Sequence, residues 1–439
     1  MDCLLSISVH DYLKAIAGFL KKADFYSVRQ GGSMQRSYRF GVWIAPLVAL
    51  LFCMSAQAAT YILNGVDRPA LCNGNMGSWS GNTYVCGWGQ PFRVEGGDEV
   101  LTTLPQMKIL SYSGFNLVNS TVGGAGRLID LEAQGSSVTR LSGSTLYGSI
   151  VGQSNNVDLL TGTTVNGSVS VTGTFKSDAS TVAGNVSANN GITAVNTVFQ
   201  GNLTATSGGV NLVGGEVTNN VLVTSTTIVA DGTVFKGSLT NTAGPINLKN
   251  GSVAGLVKTN CCTITTSGTD LSAGAQANSG ITIEGGVIAG SLVIASQNGT
   301  LVNNNIVIKD AVMVSGDINA FNIQISNSQI GSPQESIQVI ARGNYLNLTD
   351  NTVVYGHVEV ANTYGKINIE PGSRVVGTCL ADTTRNPNVN NNVNGECGGA
   401  GNDTVHHYEF NYAAQALTCS SLSVTIRACV DAACSSTVS

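Results

Sequence analysis

The chain has 439 residues, 53 of them glycine, with 42% hydrophobic residues, only 11% charged residues and a net charge of −5. So many apolar side chains with so few charges exclude a disordered polymer, and the lack of any basic cluster argues against nucleic acid or an anionic lipid surface as partner. Aromatics make up 6% of the chain, so a core has to be built from small branched side chains rather than from the bulky rings of a conventional sandwich.

Residues 1–33 read as an upstream extension outside the fold. A secretion signal is expected over residues 34–58: Arg36 and Arg39 form a basic start, Val42 to Cys53 is an apolar run broken only by Pro46, and Ala56-Gln57-Ala58 is a small-residue cleavage site. The run is too short to span a bilayer. Phe52 stands where a lipoprotein signal requires a small residue before Cys53, so no lipid anchor is expected. The mature chain is thus expected in the periplasm, on the outer surface or outside the cell.

Residues 59–110 differ in pattern from the repeats C-terminal to them and read as an N-terminal cap, because the open end of a stack of strands would otherwise template aggregation. Trp79 and Trp88 lie here, and Cys72 and Cys86 bracket a loop that a disulfide would staple. Cap packing is the favoured reading of the tryptophans, with a sugar-stacking surface as the alternative.

Residues 111–379 repeat. Thr164-Val165-Asn166-Gly167-Ser168-Val169 returns as Thr181-Val182-Ala183-Gly184-Asn185-Val186 and again as Val198-Phe199-Gln200-Gly201-Asn202-Leu203. The anchors are Gly148, Gly167, Gly184, Gly201, Asn219, Gly237 and Gly255, then Gly290, Gly316, Gly331, Gly356 and Gly377. The regular steps are close to eighteen residues, a solenoid period. A second apolar pair precedes each anchor, such as Val210/Leu212 and Ile246/Leu248. Two alternating segments rich in Val, Ile and Thr, separated by Gly, Asn and Ser, are strand and turn chemistry. One such unit cannot bury its own inward side chains, so units must stack. The expected fold is all-β: a single-stranded parallel β-helix of about fourteen coils, roughly 65 Å long at about 4.8 Å per coil. Phe199 and Phe235 occupy one ladder position. Leu271-Ser272-Ala273-Gly274 fills the gap between Gly255 and Gly290, and the uneven steps after Gly290 imply loops, with Asn303-Asn304-Asn305 and Ser332-Pro333-Gln334-Glu335 as candidates. Adjacent Cys261 and Cys262 are expected not to bond each other, because the small ring is strained.

Residues 380–405 are an Asn- and Gly-rich linker, pinned by a bond between Cys379 and Cys397. Val389 and Val393 are too sparse to anchor a core there. Residues 406–439 open a new alternating pattern, the start of a C-terminal β domain too short to stand alone. Here His407-Tyr408-Glu409-Phe410 is followed by Cys419, Cys429 and Cys434 in a C-x9-C-x4-C pattern. This segment resembles the start of the C-terminal domain of MshQ-like proteins, encoded with MSHA type IV pilus biogenesis systems. In that family a large β-rich domain comes next, so the resemblance implies a truncated chain and a link to pili or cell-surface attachment. The Thr-Val-x-Gly-x-Val coils separately resemble bactofilins, which form polymers of β-helical subunits.

Enzymatic β-helices cluster carboxylates on one face for acid/base work or calcium. Asp158, Asp178, Glu216 and Asp231 are spread instead, His357 has no evident partner, and His406-His407 lacks a metal-spaced Cys or His set. Gly123-Gly124-Ala125-Gly126 has neither the following helix nor the Lys-Ser/Thr of a nucleotide loop. No catalytic residue, cofactor or metal is therefore expected. The expected role is an exported structural or adhesion-type β-helix whose partners are pilus or outer-surface components, surface glycans, or further copies meeting at coil ends. Carbohydrate binding or cleavage is the alternative.

Overall fold

The computed structural model describes residues 58–295, 305–362, 364–381 and 393–398, with the strands His407–Tyr412 and Val424–Cys429. The secretion-signal reading, Asn303 and Asn304, and most of the 406–439 segment lie outside these residues. Those described form an all-β parallel solenoid of about 15 turns.

Each regular turn contributes three strands. In one turn these are Thr164–Val165, Val169–Val171 and Phe175–Asp178, and the next begins at Thr181–Val182. Every strand pairs in parallel with its equivalent one turn on, so the chain builds three columns: Thr164 pairs with Thr181, Val169 with Val186 and Phe175 with Ile192. The third column alone is a sheet of 16 strands. Side chains alternate across each strand, so Val165, Val169, Val171 and Phe175 point inward and are buried while their neighbours face out. Stacked equivalents make continuous interior ladders. One runs Val165, Val182, Phe199, Val217, Phe235 and Val253, so both phenylalanines are core residues. Burying a side chain of this kind stabilises the fold by about 1.5–3 kcal/mol before ordering costs.

The two ends of the first column are turned differently. Before it stands a residue with positive φ, and the identity varies: Asn119, Gly143, Gly162, Ala179, Asn196, Gly214, Gly232, Asn250, Gly268, Gly285, Asp310, Asn327, Asn351 and Gly372 hold this place in successive turns. The next residue is Ser, Thr, Gly or Ala. Where it is a hydroxyl, that group is buried, and in most turns it donates to a nearby main-chain carbonyl, as Ser180 Oγ does to Asp178 O at 2.7 Å and Thr197 Oγ1 to Val195 O at 3.0 Å. After the first column comes the glycine corner. There a Cβ on Gly167 would run into the main chain of Gly148, and one on Gly184 into that of Gly167.

The columns begin before residue 110, the sequence boundary of the cap. Phe92–Val94 already pairs with Phe115–Leu117, and Thr60–Leu63 with Glu99–Thr102. What distinguishes this end is an antiparallel hairpin, Ser78–Ser80 with Thr83–Cys86, whose second strand lies parallel on Lys108–Ser111. Cys72 is bonded to Cys86 beneath it. Tyr84 is fully buried in the hairpin: its hydroxyl donates to Pro69 O and accepts the Gly77 N–H at 2.8 Å, and burial pushes its pKa up, keeping it a neutral donor.

At the other end Val393–Asn394 pairs with Ile367–Asn368, and Glu396–Cys397 with Arg374–Val375. Part of the segment read as linker therefore adds strands to two columns, because Val393 stacks over the Ile367 ladder and Cys397 is bonded to Cys379. The strands His407–Tyr412 and Val424–Cys429 pair antiparallel, a hairpin outside the parallel columns.

Two expectations need correction. Cys261 and Cys262 are bonded to each other. They sit half-buried at the corner between Val257–Thr259 and Thr263–Ser267, where Cys262 N–H donates to Thr259 Oγ1 at 3.4 Å and fixes the tight turn. Gly331 is not a corner anchor, since Ile337 pairs with Gly356 at that level. Gly331 instead opens a small excursion closed by the Ser332–Glu335 bridge, matching one closed by Gly124–Arg127.

Candidate functional site

Parallel stacking sets outward residues of successive turns side by side, and most of the polar ones pair with one another. Asp158 takes Arg140 at 3.5 Å, Asp178 accepts from Thr161 Oγ1 at 3.4 Å, and Asp231 accepts from Asn250 Nδ2 at 3.0 Å. Glu216 takes Lys236 at 2.6 Å, and the Lys236 hydrogen bond holds its carboxyl below the usual range. Each of these acids has its own partner and none shares a site with another. Among the described residues no group of three or more His, Cys, Asp or Glu side chains could hold a metal ion. His357 has partners that its sequence neighbours do not reveal: its Nδ1 lies 2.7 Å from Thr378 Oγ1 and its Nε2 3.5 Å from Glu359. All three are outward neighbours on one strand pair, Val353–Val360 with Arg374–Ala381, so register alone accounts for their meeting.

Beside the glycine corner runs a polar ladder. Ser168 Oγ accepts the Asn185 N–H at 3.2 Å, Asn185 Oδ1 that of Asn202 at 2.8 Å, Asn202 Oδ1 that of Asn220 at 3.1 Å, and Asn220 Oδ1 that of Ser238 at 2.9 Å. These side chains satisfy main-chain donors that the corner turns away from the strand ladder.

The N-terminal turns carry a different surface. The two tryptophans part company there. Trp79 packs edge-on against Tyr84 and donates its Nε1–H to Asp67 O at 2.8 Å, as a cap residue does. Trp88 is 76% exposed and lies stacked on Tyr112, with ring centroids 5.2 Å and planes 24° apart. On the adjoining face Glu132 is a hub. It accepts from Lys108 Nζ at 2.6 Å, Gln153 Nε2 at 2.7 Å and Gln134 Nε2 at 3.0 Å. The Lys108 hydrogen bond, against partial burial, holds its carboxyl below the usual range.

Residues 405–439 match a domain of unknown function, DUF8613. No curated protein and no solved structure matches the chain.

Among the described residues there are three disulfides, Cys72–Cys86, Cys261–Cys262 and Cys379–Cys397, and they fit an oxidising, non-cytoplasmic compartment. Cys419 and Cys434 lie outside the described residues, and Cys429 ends a described strand. Sequence reasoning missed the Trp88–Tyr112 stack and the Glu132 hub. Apart from Gln134, which lies two residues from Glu132, their members are one turn apart, and the only signal was an outward tyrosine or glutamine at the right beat.

Proposed function

We propose that the chain is an exported, non-enzymatic spacer that holds a binding or terminal segment away from the cell, in association with MSHA-type pilus biogenesis or cell-surface attachment. The observation that carries this reading is the run of interior ladders from Val100 to Val375, stacked turn on turn, whose outer acids are individually paired and leave no cluster for acid/base work among the described residues. A solenoid of this kind has a length set by its number of turns. The basic-apolar-small pattern of residues 34–58 and the disulfides support export, and the resemblance of the 406–439 segment supports the link to pili.

The test is a two-turn deletion of residues 214–249, which joins Val213 to Asn250 in the same register. The purified variant should stay folded and be shorter by about 10 Å in small-angle scattering. In the producing cell, loss of the gene should reduce pilus number or surface attachment, and the shortened chain should restore it at least in part. Breakdown of a polysaccharide by the purified protein would overturn the reading, as would retention of the chain in the cytoplasm.

A further inference from the structure

We propose that the Trp88–Tyr112 stack is a binding platform for an uncharged saccharide. An indole that is 76% exposed forgoes the burial that normally favours tryptophan. This one is nevertheless held in one pose. Cys86, two residues before it, is bonded to Cys72; Gly89 N–H donates to Ser113 Oγ at 2.7 Å; Gln90 N–H donates to Gly87 O at 3.2 Å. The glycines on either side leave the loop uncrowded. A Cβ added at Gly89 would meet nothing, and one at Gly87 only the Gln90 side chain at 3.8 Å. The outcome is a flat, rigid, open apolar face, already organised before anything binds.

The surroundings identify the occupant. Ser111 pairs with Ala133, so Tyr112 and Gln134 leave the strands side by side, and Gln153 follows one turn on through its N–H to Ala133 O at 2.9 Å. Both amides give one N–H to Glu132. Each retains a second N–H and a carbonyl oxygen for a ligand hydroxyl. Lys108 and Glu132 cancel in an ion pair, so the platform's neighbour has no net charge to attract a phosphate or a uronate. Two rings bordered by amides also fall far short of the roughly 800 Å² per partner that a stable protein interface buries. An oligosaccharide fits: the C–H face of one pyranose is complementary to the negative face of the indole, and hydroxyls of neighbouring sugar units can bond the amides that follow Tyr112 along the stack. The platform stands apart from the spacer reading, since the two-turn deletion leaves it untouched.

The experiment is calorimetric titration of the full chain with uncharged hexasaccharides of β-1,4-linked glucose, N-acetylglucosamine, mannose and xylose. At least one should bind saturably. Trp88→Ala should weaken that binding about tenfold or more, which corresponds to about 1.4 kcal/mol. Trp88→Phe should keep most of it, and Gln134→Ala combined with Gln153→Ala should cost several-fold. Thermal unfolding of the Trp88 variants should match the parent, because the ring is outside the core. The proposal fails if none of the sugars binds, if binding survives Trp88→Ala, or if sedimentation shows that Trp88 instead mediates contact between copies.

Discussion

The turns between Gly162 and Ile288 and the turn that opens the solenoid bury apolar surface by different chemistry. In the middle, inward side chains stack on equivalents above and below, so valine, isoleucine, leucine and alanine do most of the filling, with Phe175, Phe199 and Phe235 set among them, and Ile228 on Val210 is typical. At the opening turn the hairpin Ser78–Ser80 with Thr83–Cys86 interrupts the parallel stacking. There the filling is Tyr84, Phe92 and Phe115, with Phe92 and Phe115 5.8 Å apart, and a disulfide closes the loop. Where the repetition stops, an antiparallel hairpin with a buried, hydrogen-bonded tyrosine and a covalent bond take over from stacking.

Breaking the middle should have the largest effect. Phe175→Ala removes a buried ring between Val157 and Ile192 and should cost about 3–5 kcal/mol, read by chemical denaturation. Replacing Cys72 and Cys86 together by alanine should cost about 3 kcal/mol in the chain-entropy account. Hydrogen exchange should place that loss in residues 60–111 and leave protection between Gly162 and Ile288 nearly unchanged. Equal loosening along the whole solenoid would show that the two regions are one cooperative unit. Ser180→Ala removes one corner hydroxyl and should cost about 1 kcal/mol, since its donor bond is lost without leaving a large cavity. The smallest effect belongs to the surface Lys108–Glu132 pair, whose lysine is half-exposed, at about 0.2–1 kcal/mol. The Glu132 pKa is depressed in the folded state, so its contribution is present above the ordinary carboxylate pKa and disappears as pH falls through the folded value. The melting-temperature gap between the parent and Lys108→Ala should therefore be open at pH 7 and close in acid.

Much of the middle was legible in the sequence and little of its geometry at the corners. The glycine corner stood out because glycine recurs there in most turns, where an added Cβ would collide with the turn below, as at Gly184, with Asn219 as an exception. The left-handed corner did not, because asparagine, aspartate, glycine and even Ala179 fill it, and only the backbone angle is constant. Past Gly290 the glycine beat misled at Gly331, where an excursion shifts the spacing while the ladder continues through Ile330 and Val354. The Cys72–Cys86 and Cys379–Cys397 pairs followed from loops of ordinary size. The Cys261–Cys262 bond did not, because strain in the small ring argued against what the corner brings about. Telling Trp88 from Trp79 required knowing which ring finds a partner inside the hairpin and which is left on top of Tyr112.

The matched excursions at Gly124–Arg127 and Ser332–Glu335 leave the same corner, after the first column, and the ladders on either side of each close up unchanged. These are places where the chain already carries extra residues without losing its count. A tag or epitope grafted at Ala125 or Pro333 would be displayed outward at a known height along the stack, whereas the same graft at Gly232 would fall on the pivot that every turn shares.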